Sequence, residues 1–166
     1  MKSLSGIEVE VISFLEFEKK YFFSRDEIKH FFKNYSQLTN FIHRLIKKKR
    51  IVKLNRTKYY LIPIRAKTSR WSENPFVLAD EILNSENYYI GGWTAANYWK
   101  ITEQIPAIIE IYTNKRNGSL EVLSTKFIFR KTTRKRIDSS VIKETNKHKF
   151  RILKKKDAIE WMKSRI

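Results

Sequence analysis

The stretch Ser36-Gln-Leu-Thr-Asn-Phe-Ile-His-Arg-Leu-Ile-Lys47 runs into Lys48-Lys-Arg50, then Ile51-Val-Lys-Leu54, Asn55-Arg-Thr-Lys58 and Tyr59-Tyr-Leu-Ile-Pro-Ile64. Leu38, Phe41, Ile42, Leu45 and Ile46 fall within about 140° of arc at about 100° per residue, which predicts a helix with one apolar stripe. Gln37, Thr39, Asn40, His43, Arg44 and Lys47 occupy the opposite arc. Asn34-Tyr35 breaks the preceding segment, and Ser36 is expected to cap this helix with its hydroxyl. Ile51–Leu54 and Tyr59–Ile64 read as two short strands joined by a polar, basic turn.

Upstream, Ile7, Val11, Phe14 and Leu15 share one face of a first amphipathic helix. Ser24-Arg-Asp-Glu27 is a capping box, a hydroxyl with a carboxylate three residues on, and it opens a short helix that turns Ile28, Phe31 and Phe32 inward. Three helices and a β-hairpin in this order describe a winged helix-turn-helix, assigned to residues 1–66. That reading carries a chemical requirement. The third helix needs short polar and basic side chains opposite its apolar stripe to enter a major groove about 12 Å wide. Asn and Gln pair with adenine edges and Arg with guanine. Gln37, Asn40 and Arg44 are therefore the expected base readers, with Ser36, Thr39, His43 and Lys47 completing the DNA-facing surface. His43 and Lys47 through Arg50 are placed to touch phosphates, and Asn55, Arg56 and Lys58 form the wing tip.

Charge points the same way. Thirty-five Lys and Arg against 17 Asp and Glu leave +18 on 166 residues, which favours polyanionic partners. Residues 1–64 carry a net +8, residues 65–110 a net −2 and residues 111–166 a net +12. A near-neutral middle between two basic ends predicts two contact surfaces. The second is centred on Arg130, Lys131, Arg134, Lys135 and Arg136, in a segment rich enough in like charge to fray.

Arg65–Asn74 is polar and aperiodic and reads as a linker, leaving residues 75–166 as a second unit. Pro75–Leu83 suits a helix with proline in its first turn. Trp93–Lys100 reads as another helix, and a closing helix starts near Asp157. Strands are expected at Tyr88–Ile90, Ala107–Tyr112, Leu120–Leu123, Lys126–Arg130 and Phe150–Leu153, with Asn117-Gly118 as a strong turn dipeptide. The fold class is thus α+β, a winged helix-turn-helix followed by a small α+β domain with a mixed or antiparallel sheet.

Several functions are excluded or disfavoured. With no cysteine, there is no disulfide framework, thiolate zinc site or cysteine nucleophile. His30, His43 and His148 form no ligand pair at helical spacing, and no metal or cofactor is expected. Gly91-Gly92 lacks the spacing and lysine of a phosphate-cradling loop. Glu18-Lys-Lys20 and Glu27-Ile-Lys29 contain a Glu-x-Lys pattern but fall on predicted helices rather than on strands that hold divalent ions. Asp80, Glu81, Glu103 and Glu110 are acidic groups whose convergence sequence alone does not show. The chain is expected to be a non-enzyme. Tyr88, Tyr89, Trp93, Tyr98 and Trp99 are expected mainly to pack in the core. No apolar run approaches the roughly 18–20 residues that cross a bilayer, so a cytoplasmic protein without membrane partners is expected.

The combination of Phe23-Ser-Arg-Asp-Glu-Ile28, Leu45-Ile-Lys-Lys-Lys-Arg-Ile-Val52, Tyr60-Leu-Ile-Pro63, Tyr88-Tyr-Ile-Gly-Gly-Trp-Thr-Ala-Ala-Asn-Tyr-Trp99 and Thr102-Glu-Gln-Ile-Pro106 resembles the AbiEi antitoxins. These are transcriptional regulators of abortive-infection, type IV toxin–antitoxin systems. The resemblance spans about residues 8–130 and implies an N-terminal domain that represses its own operon. It also implies a C-terminal domain that counters a nucleotidyltransferase-like toxin. The expected partner is double-stranded operator DNA, bound by a homodimer or by cooperative monomers. The alternative is a nucleic-acid-binding interaction module with no toxin-neutralising role.

Overall fold

Seven α-helices and two β-sheets make up the described residues of the computed structural model, 3–66 and 71–165. The chain divides into two compact units, Met1–Trp71 and Ser72–Ile166. Of the expected linker 65–74, residues 67–70 lie outside the described residues, and Asn74 already caps the first helix of the second unit.

In the first unit the order is α1 (Gly6–Phe17), β1 (Phe22–Ser24), α2 (Arg25–Ile28), a 3-10 turn at Lys29–Phe31, α3 (Tyr35–Lys47), β2 (Ile51–Lys53) and β3 (Lys58–Leu61). The sheet runs β1-β3-β2 and is antiparallel throughout, with Phe23 opposite Tyr59 and Val52 opposite Tyr60. β1 is too short to show alternation in the sequence; its pairing with β3 creates it. Val11, Ile12, Leu15, Phe23, Ile28, Leu38, Phe41, Ile42 and Leu45 form one buried core. Each such side chain contributes roughly 1.5–3 kcal/mol on burial. Ile46, at the edge of the predicted stripe, is 38% exposed.

α3 begins earlier than Ser36 suggests. Asn34, in extended backbone, accepts a hydrogen bond from the Gln37 N–H at 2.9 Å, so Asn34 is the cap and Ser36 is the helix's second residue. With the Gln37 N–H satisfied by Asn34, the helix starts at Tyr35, two residues before a Ser36 cap would have set it. At the other end Lys49 takes φ +57°, while the Arg50 N–H bonds Leu45 O and the Lys49 N–H bonds Ile46 O, each at 2.9 Å. This is the left-handed closure that glycine usually fills. Lys19 and Lys100 hold the same conformation after their own helices.

The second unit comprises α4 (Pro75–Ile82), β4 (Tyr88–Ile90), α5 (Gly92–Tyr98), β5 (Ile108–Thr113), β6 (Gly118–Val122), β7 (Thr125–Lys131), α6 (Arg134–Asp138), β8 (Val141–Thr145), β9 (His148–Ile152) and α7 (Lys155–Lys163). Its six strands form a mixed sheet in the order β6-β7-β5-β4-β9-β8, parallel at β5–β7 and β4–β9. Tyr88, Ile90, Ile109, Ile111, Phe127, Phe129, Phe150 and Ile152 alternate onto a buried face. Asn117-Gly118 joins no hairpin, because β5 pairs with β7 and not with β6. The tight two-residue turns fall at Leu123-Ser124 and Asn146-Lys147, each residue at positive φ as a primed hairpin turn requires. The basic segment 130–136 is ordered rather than frayed: β7 runs to Lys131, and Thr133 caps α6.

Candidate nucleic-acid interface

The capped helix α3 presents Tyr35, Ser36, Gln37, Asn40, His43, Arg44 and Lys47 to solvent, and Thr39 is half-buried at its flank. The β2–β3 hairpin follows it directly. At the hairpin turn Asn55 Oδ1 accepts from the Thr57 N–H at 2.9 Å, the Lys58 N–H at 2.9 Å and the Thr57 hydroxyl at 3.1 Å. The carboxamide closes the loop itself, so no residue of the turn needs positive φ and no glycine is required. Asn55 is thus a turn-maker, and Arg56 is the exposed cation at the tip.

On one flank α3 is tied to α1 through Glu8. This carboxylate is fully buried and accepts from Lys48 Nζ at 2.6 Å and from the Ser5 N–H at 2.7 Å, with Arg44 Nε 3.5 Å from its other oxygen. Burial works to raise the Glu8 carboxyl, but the Lys48 and Ser5 hydrogen bonds and the Lys48 charge outweigh it and hold it below the ordinary carboxylate range. Lys48 therefore serves the fold, and Arg50 donates to Ile62 O at 3.0 Å. Of the Lys47–Arg50 run, Lys47 and Lys49 are the exposed members. Gln37 accepts from the Lys33 N–H at 3.1 Å, which fixes it over the start of the helix. Asn40 and His43 stand between these flanks.

The other flank holds a residue the sequence reading passed over. Arg25, the first residue of α2, donates from Nε to the Tyr59 hydroxyl at 3.1 Å and from Nη1 to Thr39 Oγ1 at 2.9 Å. A chain separation of 34 residues between Arg25 and Tyr59 concealed the contact.

The second basic surface is largely engaged with its own unit. Arg130 pairs with Glu110 at 3.2 Å, Lys131 donates to Asn114 O at 3.1 Å, and Arg134 pairs with Asp138 at 3.0 Å and bonds Asn87. Lys135 and Arg136 remain exposed, as do Lys154, Lys155 and Lys156 at the start of α7, a cluster not singled out from sequence.

The acidic candidates separate into three places. Asp80 accepts from the Tyr88 hydroxyl and Ser85 Oγ, both at 2.6 Å, and lies 2.8 Å from His148 Nε2, with Glu81 3.9 Å from the same nitrogen. Burial, with Asp80 alongside, pushes the Tyr88 hydroxyl far above its usual value. Asp80, Glu81 and His148 thus lie close enough to share a cation, a grouping that a 68-residue separation between Asp80 and His148 hides from sequence. Glu110 instead accepts from the Trp93 N–H at 3.0 Å and occupies the space a Cβ on Gly92 would need. Glu103 is exposed in a loop. Tyr88, Tyr98 and Trp99 pack within the unit, as does the buried Tyr89, which stacks on Tyr112 with ring centroids 5.1 Å apart at the wall of a cavity of about 450 Å³.

In comparisons with known families and curated proteins, no family model and no curated protein matched the chain. Among the described residues no helix is long and apolar enough to cross a membrane.

Proposed function

We propose that the first unit is a winged helix-turn-helix that binds duplex DNA through α3 and the β2–β3 turn, and that the chain acts as a transcriptional repressor. The observation that carries this reading is the polar, basic face of α3 beside a hairpin whose tip bears Arg56. The order of helices and strands and the three-stranded antiparallel sheet support it. Asn40 and His43, exposed at the centre of α3, are the readers in this account; Lys47, Lys49 and Arg56 supply phosphate contacts. Arg44 divides its charge between Glu8 and solvent and contributes less than its position on the helix suggests.

The resemblance to AbiEi antitoxins extends the proposal to a chain that represses its own operon and counters a nucleotidyltransferase-like toxin. Binding rather than catalysis is the activity assigned. A footprint of the full chain on the DNA upstream of its own gene tests the repressor reading. Protection of a discrete site, with affinity falling steeply as salt rises, supports it. Each phosphate contacted steepens the log–log salt slope by about 0.9, so a flat response removes the duplex from the account. Growth rescue in cells co-expressing the neighbouring toxin tests the antitoxin part separately.

A further inference from the structure

We propose that Arg25 forms a preorganised clamp for one backbone phosphate of duplex DNA at the junction of α2, α3 and β3. This deepens the DNA-binding reading and rests on it. The guanidinium is fixed from three sides: Tyr59 takes its Nε–H, Thr39 takes one Nη1–H, and the rings of Tyr35 and Tyr59 lie 5.2 and 5.9 Å from its centre. The Tyr35 hydroxyl adds a further polar contact, and no carboxylate among the described residues competes for the guanidinium. Arginine presents its donors as a rigid planar fork that fits a phosphate with two parallel hydrogen bonds, and here the fork is oriented before any ligand arrives.

The charge is uncompensated. Arg25 makes no ion pair with a carboxylate among the described residues, although acids flank it in sequence. Asp26 pairs with Lys29 at 3.2 Å, and Glu27 accepts from the Ser24 N–H at 2.8 Å while lying 3.6 Å from Lys20. Lys48, another half-buried cation of this unit, is by contrast matched to Glu8 at 2.6 Å. The hydrogen bond to Tyr59, with Tyr35 alongside, favours the charged guanidinium by more than its partial burial disfavours it, so the site holds a fixed positive charge with no acid beside it. Tyr35 fits the same account. It is 69% exposed at the first residue of α3, where it covers no core, and its ring is the outer plate of the clamp. A phosphate suits the position better than a base edge, because Arg25 stands at the flank of α3 and not on its outward face.

The test uses the full chain and a labelled duplex of random sequence, with anisotropy titrations across a salt series. Arg25→Ala should weaken binding about tenfold and flatten the log–log slope by about 0.9, the loss of one phosphate contact. Its preference between the upstream DNA and the random duplex should be unchanged. Arg25→Lys should keep the slope yet bind several-fold more weakly, since a flexible point charge replaces the fork. Arg25→Gln, neutral but still able to bond Thr39, repeats the comparison with less disturbance of the hairpin. If Arg25→Ala and Arg25→Gln keep the wild-type slope, Arg25 is only a structural strut and the clamp is wrong, even if affinity falls. A wild-type chain that binds no duplex instead overturns the DNA-binding reading itself.

Discussion

Replacing Glu8 by glutamine should cost the first unit about 2 kcal/mol at neutral pH, and the structure gives the reasons for that magnitude. Glu8 has no solvent exposure, and one carboxylate oxygen receives both Lys48 Nζ at 2.6 Å and the Ser5 N–H at 2.7 Å. Hydrogen bonds to a charged group contribute about 1.5–3 kcal/mol when one partner is removed. Glutamine still accepts from Ser5, so the main loss is the bond to Lys48. The Arg44 contact adds little, because that side chain is 51% exposed and water screens it. At roughly 4–8 °C per kcal/mol for a unit of this size, the melting temperature should fall by about 8–16 °C. The pH dependence has a definite sign. The folded carboxyl titrates below the unfolded one, so its stabilisation is complete above the ordinary glutamate value of about 4.3 and is lost as pH falls through the lower folded value. Thermal melts of wild type and Glu8→Gln from neutral to acid pH should therefore converge in acid. Equal melting temperatures at pH 7, or a gap that persists undiminished in acid, would refute the argument.

Three further substitutions probe separate parts of the account. Lys49→Gly relieves a left-handed residue and should raise stability by about 0.5–1 kcal/mol while weakening duplex binding, so chemical denaturation and anisotropy should move in opposite senses. Asn55→Ala removes the acceptor that closes the hairpin turn and should cost about 1 kcal/mol, with a loss of DNA affinity on every duplex; unchanged affinity would detach the turn from the interface. Gly92→Ala forces a side chain into a residue at φ +56° whose Cβ position the Glu110 carboxylate already fills, and should destabilise the second unit by about 3 kcal/mol in urea melts.

How far the sequence could be read depended on whether the signal was local. The stripe Leu38, Phe41, Ile42 and Leu45 repeats at helical period, and those residues are buried as that period requires. The alternation around Phe127 and Phe129 likewise announces β7, whose two phenylalanines are buried. Ser24 and Glu27 form the capping box their spacing implies. Features set by distant partners were invisible. Glu8 looks like a solvated helix residue until Lys48 arrives from 40 residues away. Arg25 gains its meaning from Tyr59 and Thr39. The parallel pairing of β4 with β9 joins segments about 60 residues apart and leaves no local trace. Turn chemistry misled once: Asn117-Gly118 has the better hairpin dipeptide, yet the β6–β7 pairing places the tight turn on Leu123-Ser124, with the leucine at φ 48°. β8 was missed because an edge strand reading Val-Ile-Lys-Glu-Thr has one weakly buried face and little alternation to detect.

The central claim is that the outward face of α3 reads base sequence in a duplex. Selection of bound duplexes from a random pool, run in parallel for the wild-type chain, Asn40→Ala and Arg56→Ala, addresses it most directly. The account predicts that wild type enriches a defined motif and that Asn40→Ala loses preference at one adenine-containing position, at a cost of about 1–3 kcal/mol there. Arg56→Ala should bind more weakly but enrich the same motif. Enrichment of no motif by wild type, or an unaltered motif from Asn40→Ala, would contradict the claim.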